Sequence, residues 1–243
     1  MGGDISAQVL FERNECMHTA KIIGVTQPYI NNTEGNRLNV DELIAYVARV
    51  SNPSNQNNTL TATKLLRYLA KHKHWSPFEM VNVVMEIETT RDIARQVLRH
   101  RSFSFQEFSQ RYADPTKDLG FVTREARLQD LKNRQNSIET DDKELETAWI
   151  NRQELIQEII KKHYDWAIRN GIAKEQARAV LPEGLTISRM YMNGTLRSWI
   201  HYCDLRMGPE TQKEHRELAS SAWVQISEVF PSLKDCLEIG ESK

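Results

Sequence analysis

Met80 to Thr89 sets Val81, Val83, Met85 and Ile87 against Asn82, Glu86 and Glu88, the period of two expected of a strand with one buried face. At Thr90 the period lengthens. Ile93, Ala94, Val97 and Leu98 fall at spacings of three and four, which predicts a helix from Thr90 to Arg101. The same order returns later, with a strand over Leu185 to Met192 and a helix over Thr195 to Arg206 whose stripe is Leu196, Trp199, Ile200 and Cys203. Around these pairs the pattern predicts a strand at Ala20 to Thr26 and a helix through Val50 capped by Asn39 or Asp41. Ser51 to Asn58 is a polar loop, and a helix follows over Thr61 to Lys71, closed by the turn before Pro77. A long helix spans Leu145 to Asn170 and stops at Gly171, followed by a short one at Lys174 to Val180 and another at Thr211 to Glu228. Residues up to about 19 form a leader, and 124–147 reads as an exposed charged connection. The fold class is α+β: a single domain over 1–243, with an antiparallel or mixed sheet flanked by long helices.

A chain of 243 residues and 28.2 kDa, 40% hydrophobic and 27% charged, is enough for one sizeable core. Its formal net charge of -1 excludes a global pull towards nucleic acid or anionic lipid. No apolar run approaches membrane-spanning length and no signal-peptide pattern opens the chain, so a cytoplasmic protein is expected. Cys16, Cys203 and Cys236 are scattered, as free thiols in a reducing compartment would be. Asn31-Asn32-Thr33 and Asn57-Asn58-Thr59 match glycosylation sequons but, without a secretory signal, read as polar loops.

Against this neutral background, Arg99 to Arg111 carries three arginines, a histidine, two glutamines and three serines around Phe103, Phe105 and Phe108. Such donors repel one another unless they share an anion, and guanidinium forks with serine hydroxyls suit phosphate. Helical spacing puts Gln96 one turn from both Arg99 and His100, a mixture suited to a nucleotide. The alternative is a basic helix end satisfying its own last carbonyls. Arg206 lies at the edge of the apolar stripe of its helix, where a charge is expensive unless paired. It either reaches Asp204, Glu210 or solvent, or it meets a ligand. His72 and His74 have strand-like spacing with no His-Glu-x-x-His pattern, so a metal hydrolase is a weak rival and no metal is expected. A nucleic-acid binding module that stacks bases on the aromatics of 95–112 is the alternative from another class.

Arg99-His100-Arg101 followed by Ser109 resembles the signature of the flavin-dependent thymidylate synthases. Further blocks resemble that family in the same order: Ala48-Arg49-Val50-Ser51, His72 to Glu79, Ala94-Arg95-Gln96, Ala177 to Pro182, and Leu196 to Arg206. The resemblance runs from about Ala45 to about Glu214. It implies a homotetramer with active sites shared between subunits, which methylates dUMP to dTMP. The carbon would come from methylenetetrahydrofolate and the hydride from reduced FAD, with NADPH as reductant. For dUMP it implies Gln96, Arg99, Glu107, Ser109, Gln110, Arg111, Arg178 and Arg206, the last as the catalytic group that makes the uracil ring electron-rich. For FAD it implies Ser51, His74, Ser76, Arg99, His100, Arg101, Glu107, Thr195, Arg197 and His201. No cysteine nucleophile is expected, because Cys203 lies on an apolar stripe. Gln106 departs from an asparagine and Glu210 from a histidine found in relatives, and neither is carried over as a ligand residue.

Overall fold

The computed structural model describes residues 17–237, so the expected leader falls almost wholly outside the described residues. In chain order the elements are β1 (Thr19–Val25), α1 (Val40–Ala48), α2 (Ala62–Lys71), β2 (Asn82–Thr90), α3 (Arg91–Val97), β3 (Ser104–Glu107), α4 (Pro115–Asp118), β4 (Arg127–Gln129), β5 (Ser137–Glu139), α5 (Lys143–Arg169), α6 (Lys174–Ala177), β6 (Ile187–Thr195), α7 (Leu196–Arg206) and α8 (Lys213–Val229). Four strands form one sheet in the order β1-β2-β6-β3, and every neighbouring pair is antiparallel.

Alternation decides the two faces of the sheet. Val83, Met85, Ile87, Met190 and Met192 are fully buried on one side, packed with Trp199, Cys203, Trp223 and Ile226 from α7 and α8. The other side stays open, with Arg189 bonded to Glu88 at 2.7 Å across the strand pair and Tyr191 40% exposed. The free edge of β1 is covered by α8: the Ala20 N–H donates to Ser221 Oγ at 3.0 Å and the Ile22 N–H to Gln225 Oε1 at 3.3 Å. Asn39 caps α1 as expected, exchanging bonds with Glu42 in a capping box.

Four local expectations are corrected. The helix predicted to Arg101 ends at Val97. Arg99 and His100 then form a tight turn, their N–H groups donating to the carbonyls of Gln96 and Val97, because Phe103 must enter the core and Ser104 must pair with β6. That pairing makes 104–107 a strand, where the sequence showed only a ligand-binding segment. Strand β6 runs on to Thr195 because Gly194 continues the buried alternation: a Cβ there would lie 2.3 Å from Phe103 Cδ1. By contrast, helix α2 ends at Lys71 and closes before Pro77 as expected, with Lys73 in the left-handed region (φ 58) and the His74 N–H bonded back to Leu69 O at 2.8 Å. The stretch 124–147 holds the β4–β5 hairpin and two anchored arginines, Arg124 on Asp92 at 2.6 Å and Arg127 on Glu214.

Candidate active site

Strands β2 and β6 run in opposite directions, so α3 and α7, which follow them without a loop, start from opposite ends of the sheet. The residues at their C-terminal ends meet. Arg206 Nε–H donates to His100 Nε2 at 2.9 Å, which requires a neutral imidazole. Burial first, then Arg206 and Arg99, bring His100 down to about 4. Of the partners weighed for Arg206, neither carboxylate is used. Glu210 instead accepts from Asn133 Nδ2 at 3.5 Å, and no described carboxylate forms an ion pair with the Arg206 guanidinium.

Gln96 joins this meeting point from behind. Its Nε2 lies 2.9 Å from Gln212 Oε1, and its Oε1 lies 3.2 Å from His215 Nδ1. His215 Nε2 is 3.1 Å from the Tyr202 hydroxyl, and the Tyr202 ring stands edge-on to His100 with centroids 4.9 Å apart. His215 is fully buried, and burial, then Arg206 and His100, hold it down to about 3. Neither His215 nor Gln212 was among the sequence candidates. The available signal was a histidine in register with the apolar stripe Leu218, Ala219, Ala222 and Ile226.

The expected phosphate ligands of two segments are brought together. Lys174 Nζ donates to Tyr112 O at 2.8 Å and Arg111 reaches Glu175 at 3.6 Å, so the 109–112 turn lies against α6, whose C-cap is Arg178. Ser109 shares with Gln106 and Glu107 a cavity of about 330 Å3 on the open sheet face. Gln110 is 5% exposed and so presents little of itself to a ligand. Glu107 Oε1 accepts from Arg91 at 3.3 Å and from Ser188 Oγ at 2.9 Å, which leaves Oε2 for other partners.

A second grouping gathers flavin candidates. Ser51 lines a groove of about 470 Å3 with Arg49, Lys64 and Tyr68, and the Tyr68 ring lies 4.2 Å from His72 and 6.2 Å from His74. On α7, Thr195 caps the helix by accepting from the Ser198 N–H. Arg197 is held by Glu79, and His201 stands edge-on to Trp75 at 5.2 Å, beside exposed Ser76. Burial, then Arg197, lowers the His201 pKa. Arg99 and Arg101 are exposed and form no ion pair with a described residue. Exposed guanidinium groups without counter-charges, beside hydroxyls and aromatic rings, form a donor set that fits a phosphorylated, ring-bearing cofactor. The same geometry argues against base stacking along 95–112, since Phe103 is buried, Phe105 and Phe108 are partly buried, and Tyr112 alone is exposed.

The family profile described as thymidylate synthase complementing protein matches residues 36–232. A probable flavin-dependent thymidylate synthase of Paramecium bursaria Chlorella virus 1 is 46% identical over 220 residues, covering 90% of this chain and 99% of the relative. The chain belongs to the flavin-dependent thymidylate synthase family. A second member, from Synechocystis sp., is 47% identical over 219 residues, with 90% of this chain and 98% of that one covered. A solved UMP/dUMP methylase from Streptomyces cacaoi, bound with 5-Br UMP, shares the fold at a TM-score of 0.71 and 22% identity, over 90% of this chain and 92% of that one. The chain is therefore a methyltransferase of the flavin-dependent thymidylate synthase kind. Among the described residues no helix is long and apolar enough to cross a membrane.

Proposed function

We propose that this chain converts dUMP to dTMP by reductive methylation, with methylenetetrahydrofolate as carbon donor, FAD as the flavin and NADPH as its reductant. The observation that carries this reading is Arg206. It is a guanidinium at the end of a core helix, tethered through Nε to a neutral histidine, with its remaining nitrogens facing no described carboxylate. A cation so placed favours the ionised form of a pyrimidine held against it, because opposite charge at short range in a poorly solvated site lowers the cost of the anion. His100 keeps Arg206 in place without neutralising it.

The ring then becomes a nucleophile with no enzyme thiol. Cys203 is fully buried, and burial pushes its thiol up, far from the thiolate form. Cys236 is pushed up to about 11, mainly by burial. Cys16 lies outside the described residues.

Ser109, Arg111 and Arg178, joined through Glu175 and Lys174, would clamp the dUMP phosphate, with Gln96 and Arg99 closer to the pyrimidine. Arg99, His100 and Arg101, with Ser51, His74, Ser76, Thr195, Arg197 and His201, would hold FAD. When bound, reduced FAD supplies the hydride that completes the new methyl group. The division of these residues into separate groupings supports sites shared between subunits of a homotetramer. The half-exposed stripe of Trp149 (43%), Ile156 (44%), Ile159 (45%) and Trp166 (56%) on α5 supports the assembly itself.

The test is colour and product. Purified protein should carry a flavin absorption band and form dTMP from dUMP only when methylenetetrahydrofolate and NADPH are supplied. Colourless protein that FAD does not restore would remove the reading.

A further inference from the structure

Behind Gln96 the hydrogen bonds form a chain whose direction is fixed at one end. Glu214 accepts only: burial pushes its carboxyl up, but its own backbone N–H, Arg127 and Gln212 outweigh that and hold it below the usual carboxylate range. Gln212 Nε2, 2.9 Å from Glu214 Oε2, must therefore donate, which leaves Gln212 Oε1 to face Gln96. Gln96 must then donate through Nε2 and turn Oε1 towards His215. An amide oxygen only accepts, so His215 carries its proton on Nδ1, and its bare Nε2 accepts from the Tyr202 hydroxyl. Every link lies between 2.9 and 3.2 Å, and each donor has one acceptor. The buried carboxylate and its arginine thus fix the orientation of an amide three residues from Arg99.

We propose that His215 is a positioning residue for the pyrimidine substrate: through its Nδ1–H it locks the Gln96 amide, and through Tyr202 it buttresses the ring of His100 that tethers Arg206. This inference rests on the reading of Arg206 and Gln96 as dUMP-binding residues. The Gln96 amide has two hydrogens and one is spent on Gln212, so with rotation blocked it offers the second to a ligand. A Gln96 released to flip would present an oxygen there instead. The anchor for this arrangement lies outside the cleft, on α8 and the β4–β5 hairpin.

The holoenzyme is assayed with three variants. His215→Asn places an amide donor near the position of Nδ1 and keeps the bond to Gln96, whereas His215→Leu keeps apolar volume and loses it. Gln212→Met breaks the chain from the partly exposed side, where folding is little at risk. The KM for dUMP should rise about tenfold in His215→Leu and Gln212→Met and less than about threefold in His215→Asn, with FAD content nearly kept in all three and kcat at saturating dUMP nearly kept in Gln212→Met, which leaves the Tyr202–His100 contact behind Arg206 untouched. A dUMP KM unchanged in folded, yellow Gln212→Met overturns the proposal, as does equal impairment of the Asn and Leu variants. Nitrogen-15 NMR of the histidines supplies a readout independent of turnover: the Nδ1–H tautomer at His215 supports the chain and the Nε2–H tautomer refutes it, whatever the substrate. Failure of the wild type to methylate dUMP would remove the functional reading while leaving that tautomer test standing.

Discussion

Gly194→Ala offers a test in which the sign of the effect is diagnostic. In a strand, replacing glycine by alanine ordinarily stabilises by about 0.4–1 kcal/mol, since the unfolded chain loses freedom. At position 194 the new methyl carbon would sit 2.3 Å from Phe103 Cδ1 and 2.5 Å from Cε1. The ring has little room to retreat, with Trp199 4.9 Å and Tyr202 6.0 Å away, centroid to centroid. Overpacking of this kind costs about 1–3 kcal/mol. Taking about 2 kcal/mol net, the melting temperature should fall by roughly 4–8 °C for a chain of this size. Phe103 follows Arg101 by two residues, so a displaced ring also drags the Arg99–Arg101 turn, and FAD retention after gel filtration should fall with it. Gly24→Ala is the control: its Cβ would meet only Val84 at 3.6 Å, an ordinary contact, and stability should hold or rise. Phe103→Leu combined with Gly194→Ala should recover part of the loss, because the two positions share one clash. A Gly194→Ala protein that melts no lower than wild type and keeps its flavin would refute the packing argument.

Arg206→Ala should lower kcat for dTMP formation by about a hundredfold or more while FAD still binds; residual activity above a tenth of wild type would show that the guanidinium does not act on the ring. Cys203→Ser should keep most methylation activity, at a stability cost of about 1–3 kcal/mol for a buried hydroxyl; an inactive, folded serine variant would restore the thiol to the chemistry. His100 and His215 are neutral in the fold, with pKa values lowered to about 4 and about 3, whereas the unfolded histidines take up protons near 6.5. Their contribution is complete above about 6.5 and drains away as pH falls towards 4 and then 3. Thermal melts should therefore drop steadily as pH is lowered from about 7 to 4.5, less steeply in His215→Asn, and a flat profile would contradict the burial of neutral imidazoles. Arg127→Ala leaves Glu214 buried without its cation and should cost about 3–5 kcal/mol, read by chemical denaturation; a cost under about 1 kcal/mol would show that the hairpin does not anchor α8.

The sequence displayed the frame and concealed its joints. Strand β2 and the start of helix α3 were legible because the in–out alternation holds over the eight positions from Asn82 to Thr89 and gives way at once to helical spacing, and the Asn39 cap because its chemistry is local. Strand β3 has only four residues inside an arginine-rich run, and β4 and β5 have three each. Their existence depends on partners that no local pattern names. The candidate ligands stood out as polar residues in unexpected places, yet their grouping rests on two antiparallel strands sending helices back from opposite ends of one sheet. His215 was hidden for the opposite reason, since a neutral histidine on a core stripe has the periodicity of an apolar residue. What distinguishes it is direction: a buried carboxylate two contacts beyond Gln96 decides which atom of every intervening amide and ring bears the hydrogen. That information lies in the order of donors and acceptors across Tyr202, His215, Gln96, Gln212 and Glu214, residues spread over α3, α7, α8 and the turn before α8. Only the folded chain places them in sequence, so a site whose ligands can be read along the chain still takes its polarity from the tertiary structure.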